Sequence, residues 1–219
     1  MTFQKEDFIK QLLTLGGNEH LVLNKDLAFS LQVSSASVTE MLNKLEKEHL
    51  VIYVPYKGSR LSEEGVAIAT SLIRSHRLWE VFLMEHLGYG WEEIHEVAEH
   101  LEHATDALLA SRLEAYLGYP EHCPHGDVIP HGDGSRKAES RLTPLDEIQE
   151  GETVVIKRVE QENDLLEYLA AKSLVLGTQC ILLKRKPYEE SYRIQVAQDV
   201  ISLSHKAALK IFVERIPGN

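Results

Sequence analysis

The amino-acid sequence predicts a mainly α-helical protein that ends in a small β domain. Three observations carry that fold class. Apolar residues recur at helical spacing in segment after segment between Phe3 and Leu117. Pro120, Pro124 and Pro130 with Gly126, Gly132 and Gly134 then break the periodicity and mark a long loop across 120–142. Beyond Leu142 the pattern changes to short runs rich in Val, Ile, Leu and Tyr, the composition of strands.

In chain order, a first helix fits residues 3–15 and stops at Gly16-Gly17, a C-cap pair. A second fits 24–31 with Asn24 as its N-cap. After a turn at Gln32-Val33-Ser34, a third helix runs from Ser35 to about Glu48 with Val38, Met41, Leu42 and Leu45 inward. A short helix, a tight turn and a longer helix form a helix-turn-helix, whose second member enters the major groove of DNA. Leu50–Pro55 reads as a strand, Lys57-Gly58-Ser59 as a turn and Arg60-Leu61 as the return strand. A hairpin at this place is the wing of a winged helix. Ser34, Ser35, Ser37, Thr39 and Glu40 at the start and outer face of the third helix, then Lys44 and Lys47, suit contacts to the DNA backbone with some base reading. Lys57 and Arg60 on the wing could reach phosphates.

Ser62 caps a long helix to about Leu87, and Glu63 and Glu64 suit its positive end. Helices over 91–103 and 105–117 follow, and the surplus apolar side chains Leu108, Leu109, Leu113, Tyr116 and Leu117 point to a dimer contact. Past the loop, strands fit 153–156, 179–183, 192–196, 200–203 and 209–213, with a helix at 164–171. Such a set predicts an SH3-like barrel. The boundaries read as 1–73 for the winged helix, 74–142 for the helical domain with its linker, and 143–219 for the β domain.

Of 219 residues, 43% are apolar and 26% charged, ordinary for a soluble globular protein. No leader or spanning run is visible, and two cysteines are too few for a disulfide framework, so the reading is cytoplasmic with no membrane partner. The net charge of -11 excludes a protein that coats nucleic acid by bulk positive charge, leaving only a local basic patch for DNA.

Metal-donor side chains converge on the helical region. His95, Glu99, Glu102 and His103 fall within one arc of a single helix, and His76 and Glu80 stand one turn apart on the helix before it. The loop Glu121-His122-Cys123-Pro124-His125-Gly126 adds a thiol and an imidazole. Any one group alone would be an ordinary charged surface, but together they supply the N, O and S donors of a first-row divalent metal site. Cys180 sits in an apolar strand pattern and reads as core. The zinc-protease pattern fails because Glu99 stands where its second histidine belongs, and no nucleotide-binding glycine loop occurs. A metal-dependent hydrolase and a metal-stabilised adaptor are therefore the weaker alternatives.

The order of parts, with Lys5-Glu6-Asp7, Val38-Thr39-Glu40-Met41, Arg74-Ser75-His76-Arg77-Leu78, Leu101-Glu102-His103 and Cys123-Pro124-His125-Gly126, resembles the diphtheria-toxin-repressor family, closest to its three-domain, manganese-responsive streptococcal-type branch. The resemblance implies a non-enzymatic repressor that binds double-stranded operator DNA as a homodimer when loaded with metal, takes no small organic substrate and controls metal-uptake genes. It implies manganese first and iron second, with zinc or cadmium able to substitute. By match, Glu80, Cys123 and His125 would hold one metal, completed by a carboxylate of the β domain placed at Glu160. Asp7, His76, Glu99, Glu102 and His103 would hold another, and His95 is a ligand in some branches. Two departures stand out. Lys10 occupies a position that is a carboxylate in two-domain manganese members, and Glu40 replaces a base-reading glutamine of the iron-responsive members.

Overall fold

A computed structural model describes residues 1–132 and 142–216. The part of the predicted loop holding Gly134 lies outside them. The chain forms two compact units, one built on residues 1–79, 99–119 and the stretch from Ile129, the other on 80–98, 120–128 and the C-terminal region.

In the first unit, α1 (Phe3–Thr14), α2 (Asn24–Ser30) and α3 (Ser35–Lys47) lead into the antiparallel hairpin β1 (Val51–Val54) and β2 (Gly58–Leu61). Phe8, Ile9 and Leu12 of α1, Leu27 of α2, and Val38, Leu42 and Leu45 of α3 bury against one another and against Leu50 and Leu61. The apolar spacing read from the sequence is thus the core face of each helix. Ser34 caps α3 by accepting from the Ser37 amide at 3.1 Å. Asn24 does not cap α2: Leu23 holds that position, and the Asn24 amide instead donates to Thr39 Oγ1 at 3.2 Å, tying α2 to α3. At the hairpin, Gly58 has φ +122° and a Cβ there would stand 2.3 Å from the Val22 carbonyl. Only glycine permits the Val22–Ser59 backbone pairing beside it.

Helix α4 (Glu63–Leu87) contributes to both units, as does α5 (Ile94–Glu102). The predicted start of α5 at Trp91 is three residues early, because 91–93 form a turn and Trp91 is drawn into another core. Helix α6 (Ala107–Tyr116) is capped by Asp106, which accepts from the Leu109 amide at 2.8 Å. It buries Leu113 and leaves Leu108, Leu109 and Tyr116 exposed.

The β domain of the second unit holds β3 (Thr143–Pro144), β4 (Thr153–Val159), α7 (Asn163–Ala170), β5 (Gln179–Lys186), β6 (Ser191–Val196), β7 (Asp199–Ser204), the short α8 (His205–Ala208) and β8 (Ile211–Arg215). The strands form one antiparallel sheet in the order β3-β8-β4-β5-β6-β7, with register shifts in β4 at Ile156/Arg158 and in β5 at Leu182/Lys184 that bend it. Ile156, Leu166, Leu182, Ile194 and Val213 fill its core with Trp91. The two-residue β3 and the one-turn α8 escape sequence reading, since neither is long enough to show a period.

Candidate metal centre

Among the described residues, donor side chains gather within each unit. In the first, Asp7 on α1, His76 on α4, Glu99 and Glu102 on α5 and His103 just after it come together. One donor atom each from Asp7, Glu102 and His103 lies within 4.8 Å of the others, and the same holds for His76, Glu99 and Glu102. His76 Nδ1 is 2.6 Å from Glu102 Oε2 and 3.5 Å from Glu99 Oε2. Glu102 has a fully buried side chain and accepts from Lys10 Nζ as well, at 2.7 and 2.9 Å.

His103 is oriented by a residue the sequence reading missed. Its Nδ1 is 2.6 Å from Glu6 Oε2, and its ring stacks on Phe3 with centroids 4.6 Å apart. A carboxylate accepts, so Nδ1 carries a proton, and Nε2 is the nitrogen turned to the other donors. That Nε2 lies 3.0 Å from Asp7 Oδ1, an oxygen that is buried and makes no hydrogen bond. Burial holds the Asp7 carboxyl above its ordinary value against the pull of His103. A ring nitrogen beside a buried carboxylate oxygen that makes no hydrogen bond is an arrangement that a cation satisfies, and the donor set fits a divalent metal. Glu6 escaped notice because neighbouring helical residues point about 100° apart. A search for donors on the face of Asp7 therefore passes it over.

In the second unit, Glu80 of α4, Cys123 and His125 offer donor atoms within 4.8 Å of one another, all buried. His125 Nε2 lies 3.0 Å from the Trp91 carbonyl oxygen, which can only accept, so Nε2 is the protonated nitrogen. Its Nδ1 then faces Glu80 Oε1 at 3.1 Å. His95 Nδ1 lies 3.6 Å from the same Glu80 Oε1. The loop is held from beneath by β4: the Val159 amide donates to the His125 carbonyl at 3.0 Å, and Gly126, at φ +91°, sits so close that a Cβ would meet the Lys157 carbonyl at 2.0 Å. A soft thiolate, an imidazole and a carboxylate make a site for a borderline first-row ion.

Glu160 is not brought to this cluster. Its carboxylate is partly exposed and turns to Lys210 Nζ at 3.5 Å, which Glu162 also engages. The following residue, Gln161, is the one that reaches the site, with Nε2 3.9 Å from Cys123 Sγ and 3.1 Å from Asp127 Oδ2. Consecutive residues leaving a strand face opposite ways, so a one-residue choice decides which side chain points inward.

The residues read as DNA-facing lie on α3 and the wing. Ser34, Ser35, Ser37, Glu40, Lys44, Lys47, Lys57 and Arg60 are exposed, and Thr39 is half-buried, its hydroxyl donating to the Ser35 carbonyl. Glu40 pairs with Lys44 at 2.7 Å, which keeps its carboxyl below the ordinary value. None of the described helices is long and apolar enough to cross a membrane.

The likenesses to known proteins agree with this geometry. Residues 1–59 match the iron dependent repressor N-terminal DNA binding domain, residues 62–131 the iron dependent repressor metal binding and dimerisation domain, and residues 143–215 the FeoA domain. The HTH-type transcriptional regulator MntR of Lysinibacillus sphaericus (strain C3-41) is 35% identical over 131 residues, covering 60% of this chain and 92% of that protein. Among solved structures, ScaR with bound zinc is 40% identical with a TM-score of 0.81, over 97% of this chain and 99% of that one. A manganese-dependent transcriptional repressor in complex with manganese is 31% identical with a TM-score of 0.86, over 96% and 99%. With three domains matched in order and relatives of this identity aligned over nearly their full length, the chain belongs to the diphtheria-toxin-repressor family of metal-dependent transcriptional repressors.

Proposed function

We propose that this protein is a manganese-responsive repressor, with iron as the second candidate and zinc or cadmium able to occupy the same donors. In this reading it is a cytoplasmic, non-enzymatic homodimer that takes no small organic substrate. Loaded with metal, it binds double-stranded operator DNA at metal-uptake genes. The first ligand set is Asp7, His76, Glu99, Glu102 and His103. The second is Glu80, Cys123 and His125, with His95 beside it and Gln161, rather than Glu160, as the donor nearest from the β domain. Ser34, Ser35, Ser37, Thr39, Glu40, Lys44 and Lys47 on α3, with Lys57 and Arg60 on the wing, are the DNA contacts. The proposed domain limits stay at 1–73, 74–142 and 143–219.

The observation that carries the reading is the facing pair at the first cluster, His103 Nε2 and the buried Asp7 Oδ1 3.0 Å away. When bound, a divalent ion would supply the positive charge that draws these donors onto one point. Asp7 belongs to the helix that packs on α3, whereas Glu99, Glu102 and His103 follow the wing by some forty residues of chain. Drawing them together fixes the DNA-reading helices against the helical domain. In a dimer that sets the spacing of two recognition helices, which must match half-sites about one turn, roughly 34 Å, apart. Metal and DNA then strengthen each other by linkage.

The test selects a duplex from a random pool in excess manganese and measures its binding by fluorescence anisotropy at one salt concentration, with manganese and with chelator. Tighter binding in manganese is expected, by roughly 5- to 150-fold. Equal affinity in both refutes the reading. Asp7→Ala should abolish most of the gain while the circular dichroism spectrum stays as in the parent.

A further inference from the structure

On α1, one turn beyond Asp7, Lys10 sends its ammonium into the first donor cluster. Lys10 Nζ lies 2.7 Å from Glu99 Oε2, 2.7 Å from Glu102 Oε1 and 2.9 Å from Glu102 Oε2, and the side chain is only 16% exposed. The lysine thus engages both oxygens of Glu102 and one of Glu99. These are the lone pairs a divalent ion at this position would require, at the metal–oxygen distance of about 2.0–2.2 Å typical of carboxylate ligands. A dication and an ammonium compete for them, because the two positive charges would meet in a partly buried site where repulsion is little screened.

We propose that Lys10 is a tethered cation. It keeps the Glu99–Glu102 pair gathered without metal, and a divalent ion takes those carboxylates only by displacing its ammonium. The proposal rests on reading this cluster as a metal position. It makes two statements about how the protein responds. The carboxylates stay organised at low metal, since their mutual repulsion is answered from within the chain. The cluster is also weakened as a metal position, because every ion entering it must break the contacts Lys10 makes. Lys10 therefore sets the metal concentration at which this cluster fills.

The test is a manganese titration of the full-length metal-free protein, following free manganese by electron paramagnetic resonance. The parent should show a tight and a weak step. Cys123→Ser identifies the step belonging to the second unit, and Asp7→Ala the step belonging to the first. In Lys10→Met, which keeps the length and removes the charge, the weak step should tighten by about 10-fold or more while the tight step stays put. Lys10→Arg, which keeps a cation, should not tighten it. In urea, metal-free Lys10→Met should unfold earlier than the parent because buried Glu102 loses its counter-charge, and manganese should restore the difference. A weak step unchanged or loosened in Lys10→Met overturns the proposal while leaving the metal reading in place. A titration in which Asp7→Ala alters neither step overturns the reading of the cluster itself, and the proposal with it.

Discussion

Among the described residues, the guanidinium of Arg74 shows how much a single buried charge can depend on its partner. Arg74 is 5% exposed, and its Nη2 is 2.7 Å from Glu114 Oε2, with both side chains largely buried. Glu114→Ala would leave that cation without its carboxylate, and the expected loss is about 3 kcal/mol, read as a shift in the urea midpoint. Cys180 gives the opposite case, a group whose burial suppresses its chemistry. Burial pushes its thiol up to about 11. The sign follows directly: the native state holds this proton more tightly than the unfolded chain, so stability falls as pH rises from about 9 through 11. Iodoacetamide at pH 8 should leave Cys180 unlabelled in the native protein and label it in urea, as mass spectrometry would record. Sequence reading recognised Cys180 as core, and the donor residue types as a metal set, because those judgements depend only on side-chain chemistry. It noted Lys10 as a departure without seeing that the ammonium lies among the carboxylates. That placement depends on α1 meeting the end of α5, a long-range contact no local pattern encodes.

At the level of elements, α5 is the instructive one. His95, Glu99, Glu102 and His103 do share an arc, as the helical period requires, and each meets its own neighbours. His95 lies with Glu80 in one unit and the other three lie with Asp7 and His76 in the other. The loop that carries Cys123 and His125 depends in turn on β4. Gly126→Ala would force a Cβ into the Lys157 carbonyl at a backbone angle that L residues rarely adopt. The expected result is selective loss of the tight, Cys123-dependent manganese step, by roughly 10-fold or more, with the Asp7-dependent step retained. Isothermal titration against manganese would read both. The helices were legible because each buries one face at period 3.6. The inward choice between Glu160 and Gln161 was not, since it turns on the geometry of a strand end.

Among the described residues two hydrophobic cores form, one around Ile9, Leu12, Leu42 and Leu45, the other around Ile156, Leu166 and Val213. Each unit holds one of the two tryptophans: Trp79 donates to Thr105 Oγ1 at 2.7 Å in the first, and Trp91 packs into the β-domain core in the second. Trp79→Phe and Trp91→Phe therefore leave fluorescence that reports one unit at a time. In chelator the two variants should give urea transitions that do not coincide, as expected of a chain without a single cooperative core. Coincident transitions would show the units to unfold together.

From the sequence alone came the helical and β regions, the winged hairpin, the donor residue types and the family resemblance, because periodicity, turn chemistry and ligand chemistry are local properties. Only the tertiary structure decided which donors meet: that His95 meets Glu80, that Glu6 orients His103, that Gln161 and not Glu160 faces Cys123, and that Lys10 stands among the acids. Those pairings join residues up to about a hundred positions apart, and only packing brings such atoms within reach of one another.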